Sequence, residues 1–223
     1  DELPTERSMT RAVLFDLDGT LADTAQDLGA ALNRLLQEHG KSPLPYASIR
    51  PVASHGARGL INLGFGIDRD HPEFESLRQR FLDHYDTGFA DLTSIFDGIN
   101  NLLQQLAQRN IAWGVVTNKP MRFTDRLVPA LPWSVQPGVI VSGDTVGIAK
   151  PDPRPLLYAA EKLGVAPDQC IYLGDAERDI EAAIAAGMKP LIANYGYIAD
   201  TDLPENWGAA GFIDRPEQLI DYL

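Results

Sequence analysis

Four consecutive apolar residues, Ala12-Val13-Leu14-Phe15, begin a rhythm that returns throughout the second half of the chain. Short apolar, β-branched-rich runs at 111–116, 139–142, 170–173, 190–193 and 212–213 alternate with the stretches 99–109, 155–163 and 179–186. In those stretches apolar residues recur every three to four positions. Uninterrupted short runs predict strands buried on both faces, and the longer period predicts amphipathic helices. Gly164 and Gly187 stand where helices end in a left-handed residue. The alternation predicts an α/β fold, a Rossmann-like parallel sheet flanked by helices. Ligands of such sheets bind beyond the carboxyl ends of the strands.

Between residues 23 and 92 the rhythm breaks. Leu28, Ala31, Leu32, Leu35 and Leu36 share one helix face, which ends at Gly40. Phe74, Leu77, Phe81 and Tyr85 share another, which begins near Pro72. No strong strand pattern lies between them. The expected organisation is a catalytic core of residues 9–22 and 94–223, with an inserted α-helical cap of residues 23–93. The chain would cross between them near 22–24 and 91–95, and a cap of this kind serves as a lid that excludes water. Residues 1–8, ahead of Met9, read as a tag or upstream extension and are set aside.

Polar clusters follow the apolar runs. The first run leads into Asp16-Leu17-Asp18-Gly19-Thr20. Alternation along a strand starts the two carboxylates on the same side, and buried carboxylates repel unless a cation or a shared proton compensates them. The pair therefore asks for a metal, a proton-transfer role or both, the plain alternative being a turn that caps the next helix. Val115-Val116 leads into Thr117-Asn118-Lys119-Pro120, and Tyr172-Leu173 into Gly174-Asp175-Ala176-Glu177-Arg178-Asp179. Lys150 precedes Pro151 just before a helical stretch. Each is explicable as a cap, a solvated loop residue or a complement to a helix dipole. Four such clusters at the strand ends of one chain make coincidence a poor account.

Composition narrows the chemistry. A net charge of −12 over 223 residues disfavours a nucleic-acid surface, and any phosphate site needs cations of its own nearby. The one cysteine, Cys170, lies in an apolar run and reads as a buried structural thiol. No apolar stretch is long enough to span a membrane, so no membrane partner is expected and a cytoplasmic location is the default.

In order, Asp16-x-Asp18-Gly19-Thr20, Thr117, Lys150 and Gly174-Asp175-x-x-x-Asp179 resemble all four motifs of the haloacid dehalogenase-like superfamily. The resemblance extends from Met9 to the C-terminus and includes a helical cap after the first motif. It implies a phosphatase in which Asp16 is the nucleophile that forms an aspartyl-phosphate, and Asp18 the acid and base. Thr117 and Lys150 would contact the phosphoryl group, and Asn118 is counted with the substrate-binding residues. It also implies Mg²⁺ as cofactor, held by Asp16, the Asp18 backbone carbonyl and Asp175, with Asp179 as ligand or support. Haloacid dehalogenases lack the second acid, so Asp18 argues for phosphate esters.

The flanking residues give a narrower resemblance. Thr117-Asn118-Lys119-Pro120, Ser142-Gly143-Asp144 and Lys150-Pro151-Asp152-Pro153 are similar to the phosphoglycolate phosphatase group. Trp113 to Pro120 continuing into Arg122-Phe123, Ser54-His55-Gly56-Ala57-Arg58, and Tyr195-Gly196-Tyr197-Ile198 followed by Asn206-Trp207-Gly208-Ala209 are similar to the N-acetylmuramic acid 6-phosphate phosphatases of cell-wall recycling. β-Phosphoglucomutase-like mutases share the four motifs and the cap. The expected partner is a small phosphate ester, carboxylated in the first two cases, and the expected assembly a monomer or homodimer. Arg58 is the candidate carboxylate clamp, its plain alternative a surface ion pair. Lys119 and Arg122 are either local positive charge or solvated loop residues, and the tyrosines around Gly196 read as part of a turn.

Overall fold

The structure, a computed structural model, describes residues 9–223; the tag or extension expected at 1–8 lies outside them. Strand β1 (Ala12–Phe15) is followed by the short β2 (Ala22–Asp23) and the long helix α1 (Ala25–Glu38). Helices α2 (Tyr46–Ile49), α3 (Gly56–Phe65) and α4 (Phe74–Asp86) complete a helical layer, with a 3₁₀ segment, Arg50–His55, between α2 and α3. The chain returns through β3 (Ser94–Ile95). It then runs α5 (Ile99–Gln108), β4 (Ala112–Val116), α6 (Met121–Ala130), β5 (Val139–Val141) and α7 (Arg154–Leu163). The last elements are β6 (Cys170–Gly174), α8 (Glu177–Ala186), β7 (Lys189–Ala193) and β8 (Gly211–Ile213).

Six strands form one parallel sheet in the order β5-β4-β1-β6-β7-β8. β1 is central, and all four of its residues are fully buried. Its side chains alternate between two apolar layers, as strand geometry requires. Val13 and Phe15 pack with Leu102, Leu106 and Leu127 of α5 and α6. Ala12 and Leu14 pack with Leu156, Ala159 and Ala183 of α7 and α8. The register sets Phe15 beside Val115 of β4 and beside Leu173 of β6. The residues that follow these three positions therefore emerge side by side at one edge of the sheet. β1 is also where the chain's path across the sheet reverses, the place where ligand crevices open.

The helical layer has its own apolar cluster, built on Leu28, Leu32, Leu35, Leu60, Phe81 and Tyr85, and Phe123 and Tyr197 join it from the α/β part. The two crossings expected from the sequence pair with each other as a two-stranded antiparallel sheet, Ala22 opposite Ile95 and Asp23 opposite Ser94. Every strand expected between 111 and 213 forms, its boundaries within one residue of the pattern. The helices α2, α3 and α6 were not foreseen. No helix among the described residues is long and apolar enough to cross a membrane.

Candidate active site

Asp16, Thr117 and Asp175 each follow a central strand or end one, and their side chains are buried at the same sheet edge. Lys150, 3% exposed, enters from the segment before α7. Its ammonium donates to Asp179 Oδ1 at 2.7 Å, to the Tyr172 hydroxyl at 2.6 Å and to the Val116 carbonyl at 3.0 Å, and stands 3.2 Å from Asp16 Oδ1. Tyr172 donates in turn to the Val116 carbonyl. A buried ammonium is tolerated only with this degree of compensation.

Asp16, Asp175 and Asp179 each offer an oxygen within 4.8 Å of the others, and all three are buried. Their charges are unequally placed. Burial, and then Asp179, push Asp16 up to about 8 against the pull of Lys150. Burial and Asp179 likewise push Asp175 up to about 6. Burial acts on Asp179 in the same sense, yet Lys150 and Arg178 hold it below the usual carboxylate range. The cluster is thus short of positive charge on the side of Asp16 and Asp175, which suits an added cation.

The hydrogen bonds divide the three in the same way. Asp179 has both oxygens engaged: Oδ1 by Lys150, Oδ2 by the N–H groups of Asp175 (3.2 Å) and Ala176 (3.1 Å). It anchors the lysine and caps the start of α8. Asp16 Oδ1 accepts from the Leu17 N–H at 2.8 Å, and no hydrogen bond among the described residues reaches its Oδ2. Asp175 Oδ2 accepts from the Tyr197 N–H (2.9 Å) and from the Ser54 hydroxyl (2.5 Å). Gly19, at φ +80°, lies against this carboxylate so closely that any Cβ there would collide with Asp175 Oδ2. An all-oxygen set of few protein ligands suits Mg²⁺, which keeps waters and substrate oxygens in its shell.

Asp18 stands apart from the acidic cluster. Its Oδ1 accepts from the Thr24 hydroxyl at 2.6 Å and from the Lys119 ammonium at 2.9 Å, and its backbone carbonyl accepts from Ser54 Oγ at 3.3 Å. A cavity of about 820 Å³ opens over Asp16, Asp18, Thr117 and Lys150, walled on the far side by α3 and α4.

Residues 13–193 match the profile of the haloacid dehalogenase-like hydrolase family. The chain belongs to that family. This haloacid dehalogenase-like hydrolase is 43% identical over 218 residues to the N-acetylmuramic acid 6-phosphate phosphatase of Pseudomonas aeruginosa, covering 98% of this chain and 96% of that one. It is also 43% identical over 209 residues to the phosphoglycolate phosphatase of Xanthomonas campestris pv. campestris strain 8004, covering 94% of each. A solved structure of a predicted phosphoglycolate phosphatase from Haemophilus somnus 129PT superposes with a TM-score of 0.82 at 21% identity, over 96% of this chain and 97% of that one, which shows the common fold.

Two of the residues expected to bind substrate do other work in this haloacid dehalogenase-like hydrolase. The Asn118 side chain spans the Lys150 backbone, Nδ2 donating to its carbonyl and Oδ1 accepting from its N–H, both at 2.9 Å. It holds the lysine segment in place. Arg58 lines the cavity, but its guanidinium is engaged by Asp68 through two bonds, 2.7 and 3.0 Å, with both side chains about half exposed. The surface pair is realised. Exposed pairs of this kind contribute about 1 kcal/mol or less. Arg58→Ala is expected to shift the unfolding midpoint in urea by no more than that implies; a loss above about 2 kcal/mol would show a structural role beyond the pair.

Several residues of the site were not singled out for it by the sequence. Ser54 and Tyr197 hold Asp175, Tyr172 holds Lys150, and Arg178 donates to the Ser54 carbonyl and lies 3.0 Å from His55 Nδ1. The Tyr197 hydroxyl donates to Asp23 and accepts from the Thr24 and Ala25 N–H groups, fastening the turn after β7 to the start of α1. Arg122 remains on the surface beside Asp83 and Asp86. Lys119, read from the sequence as either local positive charge or a solvated loop residue, is buried in the site beside Asp18.

Proposed function

We propose that this hydrolase cleaves phosphate monoesters through an aspartyl-phosphate on Asp16, with residues 23–93 as a cap over the reaction. The observation that carries the reading is Asp16 itself: buried at the end of the central strand, one oxygen held by Leu17 N–H and Lys150, the other left open beside the cavity. A carboxylate so fixed attacks phosphorus in line with little loss of freedom. As the ester P–O bond breaks, the Asp18 carboxyl gives its proton to the departing oxygen. The Asp18 carboxylate then takes a proton from water, whose oxygen attacks phosphorus. The bond to Asp16 breaks, and inorganic phosphate is released. The Thr117 hydroxyl donates to a phosphoryl oxygen, and Lys150 balances the charge on Asp16 and the transferring group. Asp16, Asp175 and the Asp18 carbonyl would hold Mg²⁺, which supplies further neutralisation of the phosphoryl oxygens when bound, while Asp179 supports from behind.

Phosphoglycolate is one fitting substrate, as a small carboxylated ester. The cavity of about 820 Å³ has room for the larger of the two candidates, N-acetylmuramic acid 6-phosphate, and we take that ester as the preferred substrate. Phosphate release is expected to need added Mg²⁺. Its kcat/KM on N-acetylmuramic acid 6-phosphate is expected to exceed that on 2-phosphoglycolate by at least about tenfold. The reverse order would return the assignment to the smaller ester, and conversion of β-glucose 1-phosphate to glucose 6-phosphate would replace hydrolase with mutase. Full activity after exhaustive chelation would remove the metal from the scheme.

A further inference from the structure

Lys119 is the second buried ammonium of the site, and the reaction above makes no use of it. It is 8% exposed, and its Nζ donates to Asp18 Oδ1 at 2.9 Å and to the Tyr85 hydroxyl at 2.7 Å. The same nitrogen lies 4.5 Å from the centroid of the Tyr85 ring. Burial opposes the charge, but Asp18 and Tyr85 outweigh it and hold Lys119 above the ordinary lysine range. Tyr85 is itself fixed: 1% exposed on α4, its ring set edge-on against Phe123 at 4.9 Å. The arrangement joins three distant pieces of chain, the loop after β1, the loop after β4 and the helical layer.

Its geometric effect falls on one oxygen. Thr24 Oγ1 and Lys119 Nζ both donate to Asp18 Oδ1, whereas no hydrogen bond among the described residues reaches Oδ2. The χ2 torsion of aspartate is broad, so a single hydrogen bond leaves a carboxylate free to swing about its Cβ–Cγ bond. Two donors on separate chain segments, Thr24 and Lys119, restrict that motion. We infer that Lys119, itself held by Tyr85, is a positioning residue for Asp18: it fixes Oδ1 so that Oδ2 is presented to the ester oxygen, and it ties that placement to the seating of α4. The inference rests on the proton-donor role proposed above for Asp18.

Single-turnover release of the leaving group isolates the step concerned. An alkyl phosphate such as N-acetylmuramic acid 6-phosphate departs only with a proton, whereas p-nitrophenolate departs without one. In Lys119→Met the release of the sugar is expected to fall about 100-fold with little change in the concentration of half-saturation, and p-nitrophenolate release less than about fivefold. A merely structural role would lower both alike, and that result overturns the inference. Tyr85→Phe removes one hydroxyl and keeps the ring, so it decides the matter if Lys119→Met does not fold. It should slow sugar release at least about fivefold and leave p-nitrophenolate release intact, and an unchanged sugar rate counts against the proposal. Asp18→Asn, measured alongside, should show the same split more deeply. If Asp18→Asn splits the two substrates and the Lys119 and Tyr85 variants do not, the inference alone fails. If Asp18→Asn slows both equally, the donor role fails and the inference with it.

Discussion

Asp16→Asn is expected to lower turnover by at least about four orders of magnitude while the protein stays folded. The amide has nearly the same shape as the carboxylate and its oxygen still accepts from the Leu17 N–H, so the end of β1 keeps its local bond. What is lost is the proposed nucleophile, which leaves Lys150 and Thr117 no oxygen to direct at phosphorus. Asp16 also lies among like charges, with Asp179 and Asp175 both acting to destabilise its anion. Neutralising it in metal-free buffer should therefore leave the melting temperature unchanged or raise it. Steady-state phosphate release and thermal unfolding on one preparation give both quantities. Substantial residual turnover by purified variant would end the aspartyl-phosphate mechanism.

Lys150→Met should cost both activity and stability. The ammonium has four oxygen neighbours, and the variant leaves Asp179 Oδ1, Asp16 Oδ1 and the Tyr172 hydroxyl without their cation among buried side chains at the floor of the cavity. Removing one partner of a buried charge network costs about 3–5 kcal/mol, because the remaining charge is uncompensated. Urea unfolding should show that loss, and turnover should fall by at least about 10³-fold because the transferring phosphoryl group loses its nearest fixed cation. Lys150→Arg should not restore either quantity, since a planar fork is too wide for a site shaped around a compact ammonium. A Lys150→Met protein less than about 1 kcal/mol weaker than the parent would mean that the network is far less desolvated than its burial implies.

The parts legible in sequence were those with local signatures. Strand runs are bounded by their own composition, and three of the four polar clusters announce themselves by following one, while Lys150 stands just ahead of a helical stretch. α6 was missed although Phe123, Leu127 and Val128 mark a buried face; Pro120 precedes it and Pro129 lies within it, which weakens its helical signature. α3 was missed for a related reason: Gly56, Gly59 and Gly64 lower its helix propensity, and its formation relies on packing against α1 and the preceding 3₁₀ segment. The supporting residues of the site were illegible for a different cause. Tyr85 lies 34 residues from Lys119 in sequence, Ser54 lies 121 from Asp175, and Tyr197 lies 173 from the Thr24 N–H it meets. Only the fold brings such pairs together. Arg58 shows the converse, a residue well chosen for charge and location whose guanidinium is already committed to Asp68, ten positions away.

The pairing of β2 with β3 has a bearing on how such enzymes diversify. Because Ala22 stands opposite Ile95, the path out to the helices and the path back are neighbours, and the α/β part experiences everything between them as a single stitched loop. Lengthening or exchanging a loop whose ends are already joined adds little to its closure entropy. Asp16, the lysine network and the acidic cluster, apart from Ser54, are all made by residues outside that loop. Exchanging that segment would leave those groups in place and change mainly what faces them, Tyr85 and its hold on Lys119 included.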